Sequence, residues 1–213
     1  MKVNLVDALK FPLKDKKLLK KLFLGGILSV IPFFSGGYLL RIMKAAIAKQ
    51  KPVLPEWDDW KGIFNDGIWF VIIILAYTIA YLFVPVLIGL LIKYKVIVCF
   101  VNTILLTALP LVFLPAIFIG LCLYTGTSQI SSAFQVKKII EIFKKGLNEY
   151  IVISIILVLT VVIVNSVFRP LFWLWPFGGF YLSVVMTRLY SEIFIKTVEE
   201  VEESPMAQVK PKK

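Results

Sequence analysis

The feature that most constrains this chain is the run from Ile68 to Ile92, 25 residues without a charge. It is approached through a polar and aromatic stretch, Pro55-Glu-Trp-Asp-Asp-Trp-Lys-Gly-Ile-Phe-Asn-Asp-Gly67. A bilayer core is spanned by about 20 apolar residues of helix, and inside it a lone segment satisfies its backbone N–H and carbonyl groups only as a helix. The run is therefore expected to cross a membrane, with residues 55–67 as its lip at the water interface. Composition points the same way: 59% hydrophobic residues, 17% charged residues and a mean hydropathy of +0.88 are too apolar for a soluble domain of 213 residues.

Taken in order, residues 1–21 interleave seven lysines with leucines and read as a basic amphipathic approach lying on the membrane surface. Pro12 divides it, and Asp15 is placed to accept from amides freed at a helix start. A secretory signal fits poorly, because Arg41 and Lys44 precede the only Ala-x-Ala, Ala46 to Ala48. Leu22 to Leu40 is apolar but interrupted by Pro32 and by Gly36-Gly37, so it either crosses once or turns back. Val96 to Tyr124 is long enough to span, with Pro110 and Pro115 expected to bend it. Ser131 to Glu149 reads as a surface helix: Val136, Ile139, Ile140, Phe143 and Leu147 recur at helical spacing while Lys137, Lys138, Glu141, Lys144 and Lys145 face away. Ser132 with Gln135 reads as a capping box. Tyr150 to Phe168 spans, Leu171 to about Ile195 returns with Trp173 and Trp175 at interface depth, and residues 197–213 form a charged tail.

Three times the chain writes Leu/Ile-Phe-x-x-Gly-Ile/Leu at a membrane approach: Leu22-Phe23 with Gly26-Ile27, Ile63-Phe64 with Gly67-Ile68, and Ile142-Phe143 with Gly146-Leu147. Each glycine reads as a joint between a helix lying flat and one standing up. Three hairpin-like repeats follow, about 1–44, 55–124 and 131–196, within one membrane domain over residues 1–196. Charge bears on this separately. If the first apolar stretch turns back, 21 of the 24 basic residues lie on one side and only Lys93, Lys95 and Arg169 on the other; if it crosses, the better split is 14 against 10. The positive-inside rule favours the first arrangement. The expected fold is thus an all-α integral membrane protein of the cytoplasmic membrane. It has four full transmembrane helices, an N-terminal re-entrant or broken hairpin, cytoplasmic interfacial amphipathic helices, and both termini inside.

Phe11-Pro-Leu-Lys-Asp15, Gly37-Tyr-Leu-Leu-Arg41 and above all Leu54-Pro-Glu-Trp-Asp-Asp-Trp60, followed by Ile63-Phe64 and Asp66-Gly67, resemble the membrane-protein family catalogued as domain of unknown function 4013. The resemblance covers most of residues 1–195. It implies a multi-pass membrane protein and carries over no activity.

Chemistry is sparsely signalled. The chain has no His and two cysteines, Cys99 and Cys122, which one helix would hold about 34 Å apart. None of the 13 acids falls in mid-span, which argues against ion-coupled transport. Asn102 and Asn165 are the polar groups nearest mid-span, and such groups more often join helices than bind substrate. No nucleophile with a base beside it, phosphate loop or metal-ligand spacing is present, so no enzyme, cofactor or metal is expected. The net charge of +11 points to anionic lipid headgroups rather than nucleic acid, because the basic residues flank apolar spans. The candidate interface is Trp57, Asp58, Asp59, Trp60 and Asp66, where carboxylates and indoles converge. Its bland reading is Trp anchoring with Asp capping and charge balance by Arg41 or Arg188. Those two arginines end return segments at equivalent places, so an Asp59 pair with either would clasp the repeats. Two functions remain open: a scaffold, assembly factor or accessory subunit binding a membrane-protein partner or anionic lipid, and a small-solute or lipid transporter or channel subunit without ion coupling.

Overall fold

A computed structural model of the chain describes residues 9–51, 53–91, 109–168 and 174–202. Lys93, Lys95, Cys99, Asn102, Arg169, Trp173, the side chain of Asn165 and residues 203–213 lie outside the described residues. Every regular element among those described is helical. After a 3₁₀ turn at Pro12–Lys14 come α1 (Leu18–Leu28), α2 (Pro32–Ile47) and α3 (Trp60–Leu91). They are followed by α4 (Pro110–Thr127), a 3₁₀ turn at Ile130–Phe134, α5 (Val136–Lys145), α6 (Leu147–Phe168) and α7 (Trp175–Glu202).

The first apolar stretch is broken, and the break falls at Ser29-Val30-Ile31 rather than at Gly36-Gly37. Ile31 is extended, at φ −107° and ψ 101°, because the ring of a following proline excludes the helical region for the residue before it. Pro32 then opens α2 at a position whose N–H has no intrahelical partner anyway. Arms of 11 and 16 residues are about 16 and 24 Å long, so neither crosses a 30 Å hydrocarbon core alone.

The glycines of the recurring Phe-x-x-Gly pattern do different jobs, and only one is a joint. Gly67 lies inside the unbroken 32-residue α3. A Cβ on Gly67 would overlap the Phe33 carbonyl, and one on Gly37 would overlap the Ile63 carbonyl, so these glycines let the α2 and α3 backbones touch at their crossing. Gly26 is likewise internal to α1, where the Phe177 ring fills the space a Cβ would take. Gly146 alone marks a bend, of 89° between α5 and α6. Its φ of −99° is open to any residue, and the Thr197 hydroxyl and Tyr150 ring are what exclude a side chain there.

The expected capping box at the start of α5 does not form. Ser132 falls in the preceding 3₁₀ turn, where its Oγ donates to the Gln129 carbonyl at 2.6 Å and lies 2.6 Å from Thr127 Oγ1. Gln135 precedes α5 without a side-chain cap. The last helix also overruns the tail boundary set at residue 197: α7 continues to Glu202, Thr197 is buried, and Glu199 pairs with Lys49 at 2.8 Å.

The least apolar of the long helices is the central one. α7 packs against α1, α2, α4, α5 and α6 and buries Val184, Val185, Leu189, Tyr190 and Ile193 completely. Phe118 of α4 stacks on Tyr190 with centroids 4.1 Å apart and rings within 2° of parallel, and Ser154 Oγ of α6 lies 2.8 Å from Tyr190 Oη. α3, by contrast, exposes Ile72, Leu75, Ile79, Phe83 and Val86. Among the described residues two helices are long and apolar enough to cross a membrane, Trp60–Ile88 and Pro110–Thr127, and a third if the bent pair Val136–Lys145 with Leu147–Val162 counts as one span. That is two to three candidate spans where the sequence pattern suggests four.

The helix crossing makes a sharp expectation. Gly67→Ala forces α2 and α3 apart and is expected to cost about 1–3 kcal/mol, whereas Gly178→Ala, with open space around its Cβ position, is expected to be neutral. Thermal unfolding of the two variants in the same mild detergent checks this; equal melting temperatures would show that the close approach carries no stability.

Candidate functional site

The lip is built from three stretches: the N-terminal segment 11–21, the middle of α2 at Tyr38 and Arg41, and the connection 53–59 that leads into α3. The connection has no regular structure, so its buried carbonyls need donors from elsewhere. Tyr38 supplies one, its hydroxyl donating to the Pro55 carbonyl at 3.0 Å. Lys21 supplies the other, its Nζ donating to the Leu54 carbonyl at 2.7 Å. The same ammonium donates to Asp15 Oδ2 at 2.8 Å and lies 3.0 Å from Glu56 Oε1. Its side chain is only 4% exposed and that of Asp15 only 5%, so this is a buried ion pair.

Trp57 closes over the lysine. Its indole N–H donates to the Lys21 carbonyl at 3.3 Å, and its ring stacks on Tyr38 at 4.2 Å with 12° between planes. Phe11, Leu54, Ile63, Phe180 and Val184 complete this second apolar cluster. Trp60, 41% exposed, remains at the rim against Phe34 and Trp57.

Of the seven residues singled out from sequence, the structure brings Arg41, Asp59 and Asp66 together. Arg41 Nη2 lies 2.6 Å from Asp59 Oδ2 and its Nε 3.5 Å from Asp66 Oδ2. Asp59 also caps α3, its Oδ1 accepting from the Gly62 amide at 2.9 Å. The helix it caps is the long α3 and not a short surface piece. That amide and the Arg41 guanidinium hold the Asp59 carboxyl below the usual carboxylate range. Asp58 is exposed and accepts from the Asp59 amide at 2.9 Å.

Arg188 does not join them. It is committed one helical turn along α7, with Nε 2.7 Å from Glu192 Oε1, and its guanidinium sits over the Phe11 ring at 5.5 Å. The Asp59–Arg188 clasp is therefore replaced by a contact that holds the N-terminal segment to α7. Among the described residues no group of three acidic or thiol side chains converges as a metal site would require.

Reading the basic N-terminal run as an amphipathic approach to the membrane surface, with Asp15 as a cap, misses the pairing of Lys21 with Asp15. Helical phase carries the signal: Lys21 lies three residues after Leu18 and four before Gly25, on the face that packs inward, whereas Lys20 points away. Asp15 does accept from a backbone amide near the helix start, that of Lys17 at 2.8 Å, but its second oxygen serves Lys21.

A groove of about 330 Å³ opens beside this cluster, lined by Lys17, Lys20, Lys21, Leu24, Glu56, Trp57, Asp58 and Trp60. A second, of about 370 Å³, lies between the tip of the α1–α2 hairpin and the start of α7, lined by Ser29, Val30, Ser35, Leu39, Trp175, Gly179, Phe180 and Ser183 among others.

With this geometry in view, the comparisons agree with the sequence resemblance. The family described as Protein of unknown function (DUF4013) matches residues 24–173. The chain belongs to that family. An uncharacterised protein of Methanocaldococcus jannaschii is 28% identical over 147 residues, covering 65% of this chain and 50% of the relative. The chain thus spans about half the length of the curated relative it matches. No solved structure matches.

Removing one partner from a buried pair strands the other charge in a dry site. Lys21→Met is expected to destabilise the protein by about 3 kcal/mol and to expose residues 9–17 to limited proteolysis, while Lys16→Met leaves both unchanged. Acid should loosen the same segment. Burial alone would raise the Asp15 carboxyl, but the hydrogen bonds from Lys21 and from the Lys17 amide outweigh it and hold the group below its ordinary 3.8. A depressed carboxyl lends its full stability above the ordinary value and loses it as the pH falls through the lower, folded one. Proteolytic release of the N-terminal segment should therefore rise only below about pH 4, and Asp15→Asn should show that release at neutral pH.

Proposed function

We propose that this protein is a non-catalytic, multi-pass integral protein of the cytoplasmic membrane, a scaffold, assembly factor or accessory subunit. Its partners are another membrane protein and anionic lipid. The observation that carries the reading is the filled centre of the bundle. Where a solute path would run between α4, α6 and α7, Phe118 stacks on Tyr190, and Tyr150, Leu189 and Ile193 are wholly buried. A conduit needs a polar, hydrated lining, whereas a bundle closed by stacked aromatics offers rigid surfaces.

The finer topology belongs to the same proposal. α6 and α7 join α3 and α4 as full spans, giving four, with the α1–α2 hairpin entering the membrane without crossing it. α7 is spared the need for high apolarity because its neighbours, not lipid, surround it. α5 lies flat at 89° to α6, its Ile139 and Ile142 turned inward, its Val136 and Ile140 turned out, and Lys137, Lys138, Lys144 and Lys145 at headgroup level. Three hairpin-like units and two cytoplasmic termini follow, with 21 basic residues inside.

Topology and function are tested separately. Single cysteines at Lys10 and Lys51, in a chain with Cys99 and Cys122 replaced by Ser, are expected to label from the same side of the membrane; labelling from opposite sides would overturn the non-crossing hairpin. Purification from the native membrane in mild detergent, followed by intact-complex mass spectrometry, is expected to retain a stoichiometric protein partner. A chain that purifies alone and carries solute flux into reconstituted vesicles would instead establish a transporter.

A further inference from the structure

The 330 Å³ groove at the lip has a composition that the scaffold reading does not use. Its floor is fixed by Lys21, whose ammonium is already spent on Asp15 and the Leu54 carbonyl. Its rim carries Lys17 and Lys20, both exposed, and the exposed carboxylate of Asp58, which accepts from the Asp59 amide. Lys17 reaches Glu56 Oε1 at 3.3 Å, with that carboxylate half-exposed and shared with Lys21. Among the described residues no ion pair engages Lys20. The wall opposite is indole: Trp57, held rigid by its stack on Tyr38, and Trp60 at the rim.

The groove also sits where two helices start together into the apolar layer. From it α1 carries Leu24 in the lining and Phe23 and Ile27 exposed outward, and α3 carries Trp60 and, one turn on, exposed Phe64. Cations at the mouth, indoles at interface depth and exposed apolar side chains beyond are the order met along a phospholipid from phosphate to acyl chain.

We propose that this groove seats the headgroup of one anionic glycerophospholipid, with Lys17 and Lys20 on its phosphate, Trp57 and Trp60 along its glycerol, and the acyl chains over Leu24 and Phe64. Glu56 is the internal competitor, since its carboxylate occupies Lys17 when no lipid does. This rests on the membrane placement proposed above and adds to it a defined lipid site. The four lysines of α5 line an exposed helix face, where the proposal gives them attraction for anionic lipid only in bulk.

The test uses the full chain in mild detergent, titrated with short-chain phosphatidylglycerol, short-chain phosphatidylcholine, glycerol phosphate and inorganic phosphate. Bound adducts are counted by native mass spectrometry. One phosphatidylglycerol per chain is expected to be retained in preference to phosphatidylcholine, with neither soluble phosphate competing at equal concentration. Each lysine near a headgroup contributes attraction on a scale that makes loss of both equal to about 30-fold weaker retention. Lys17→Ala with Lys20→Ala is expected to show that loss at an unchanged melting temperature, and Lys137→Ala with Lys138→Ala is expected to show none. Glu56→Gln should tighten retention, a gain that a merely structural role for Glu56 would not produce. Equal retention of phosphatidylcholine, competition by glycerol phosphate or inorganic phosphate, or equal loss from the α5 pair would each overturn the site. None of these outcomes bears on the partner and flux measurements, so the site and the scaffold reading fail independently.

Discussion

A single buried ammonium joins two parts of the chain that sequence keeps far apart, residues 15–21 and residues 54–57. Lys21 reaches Asp15 on one side and the Leu54 carbonyl and Glu56 on the other, and the Trp57 indole caps the peptide that carries it. A charge so placed is tolerable only because each of its donors has a fixed acceptor. In return it satisfies a carbonyl in a connection that has no ladder of its own. The consequence is architectural: the basic N-terminal segment is a strut of the fold rather than a loose approach to the membrane, and the connection into α3 is pinned where a flexible lip would otherwise be. Arg188 over Phe11 secures the same segment to α7.

The bundle behind the lip is ordered by apolarity in reverse of a soluble protein. α3, the longest apolar helix, is the most exposed, while α7, with Ser183, Thr187, Ser191 and Thr197 along it, is at the centre. In the membrane placement proposed above, lipid is as apolar as a leucine side chain, so burying apolar surface gains little there, and close packing with shared hydroxyl bonds does more. The crossing of α2 and α3 shows the packing side of this. Gly37 and Gly67 remove the two side chains that would hold the backbones apart, and they let the short α2 shelter against a helix long enough to reach past the membrane. The hydroxyl side appears in Ser154 against Tyr190.

Membership in a family of unknown function leaves the geometry to argue for role. That geometry concentrates charge and aromatic surface at one rim and fills the interior. The Arg41 pairs with Asp59 and Asp66 fall at the same rim, linking the middle of α2 to the start of α3. A rigid rim above a closed bundle is what the proposed scaffold role rests on.

Much of this was legible in residue order. An uncharged run of 25 residues makes a helix in a bilayer whatever surrounds it, since no other local structure satisfies its backbone. Pro32 announced a break in the first stretch, because ring geometry acts on the adjacent residue alone. An Asp cap in this stretch was legible for the same reason of short range, though not that Asp59 would make it or that the helix would be the long α3. Sequence could not say what Lys21 would pair with, whether Gly67 was a joint or a contact, or whether Arg188 would choose Asp59 or Glu192. Each of those depends on which helix lies alongside, and helix pairing is set by the sum of many weak contacts across the bundle. Local backbone sterics and the solvent determined the helices and their medium. Tertiary packing alone decided which charges are buried, which glycines touch a neighbour, and where the rim of the protein gathers its lysines and indoles.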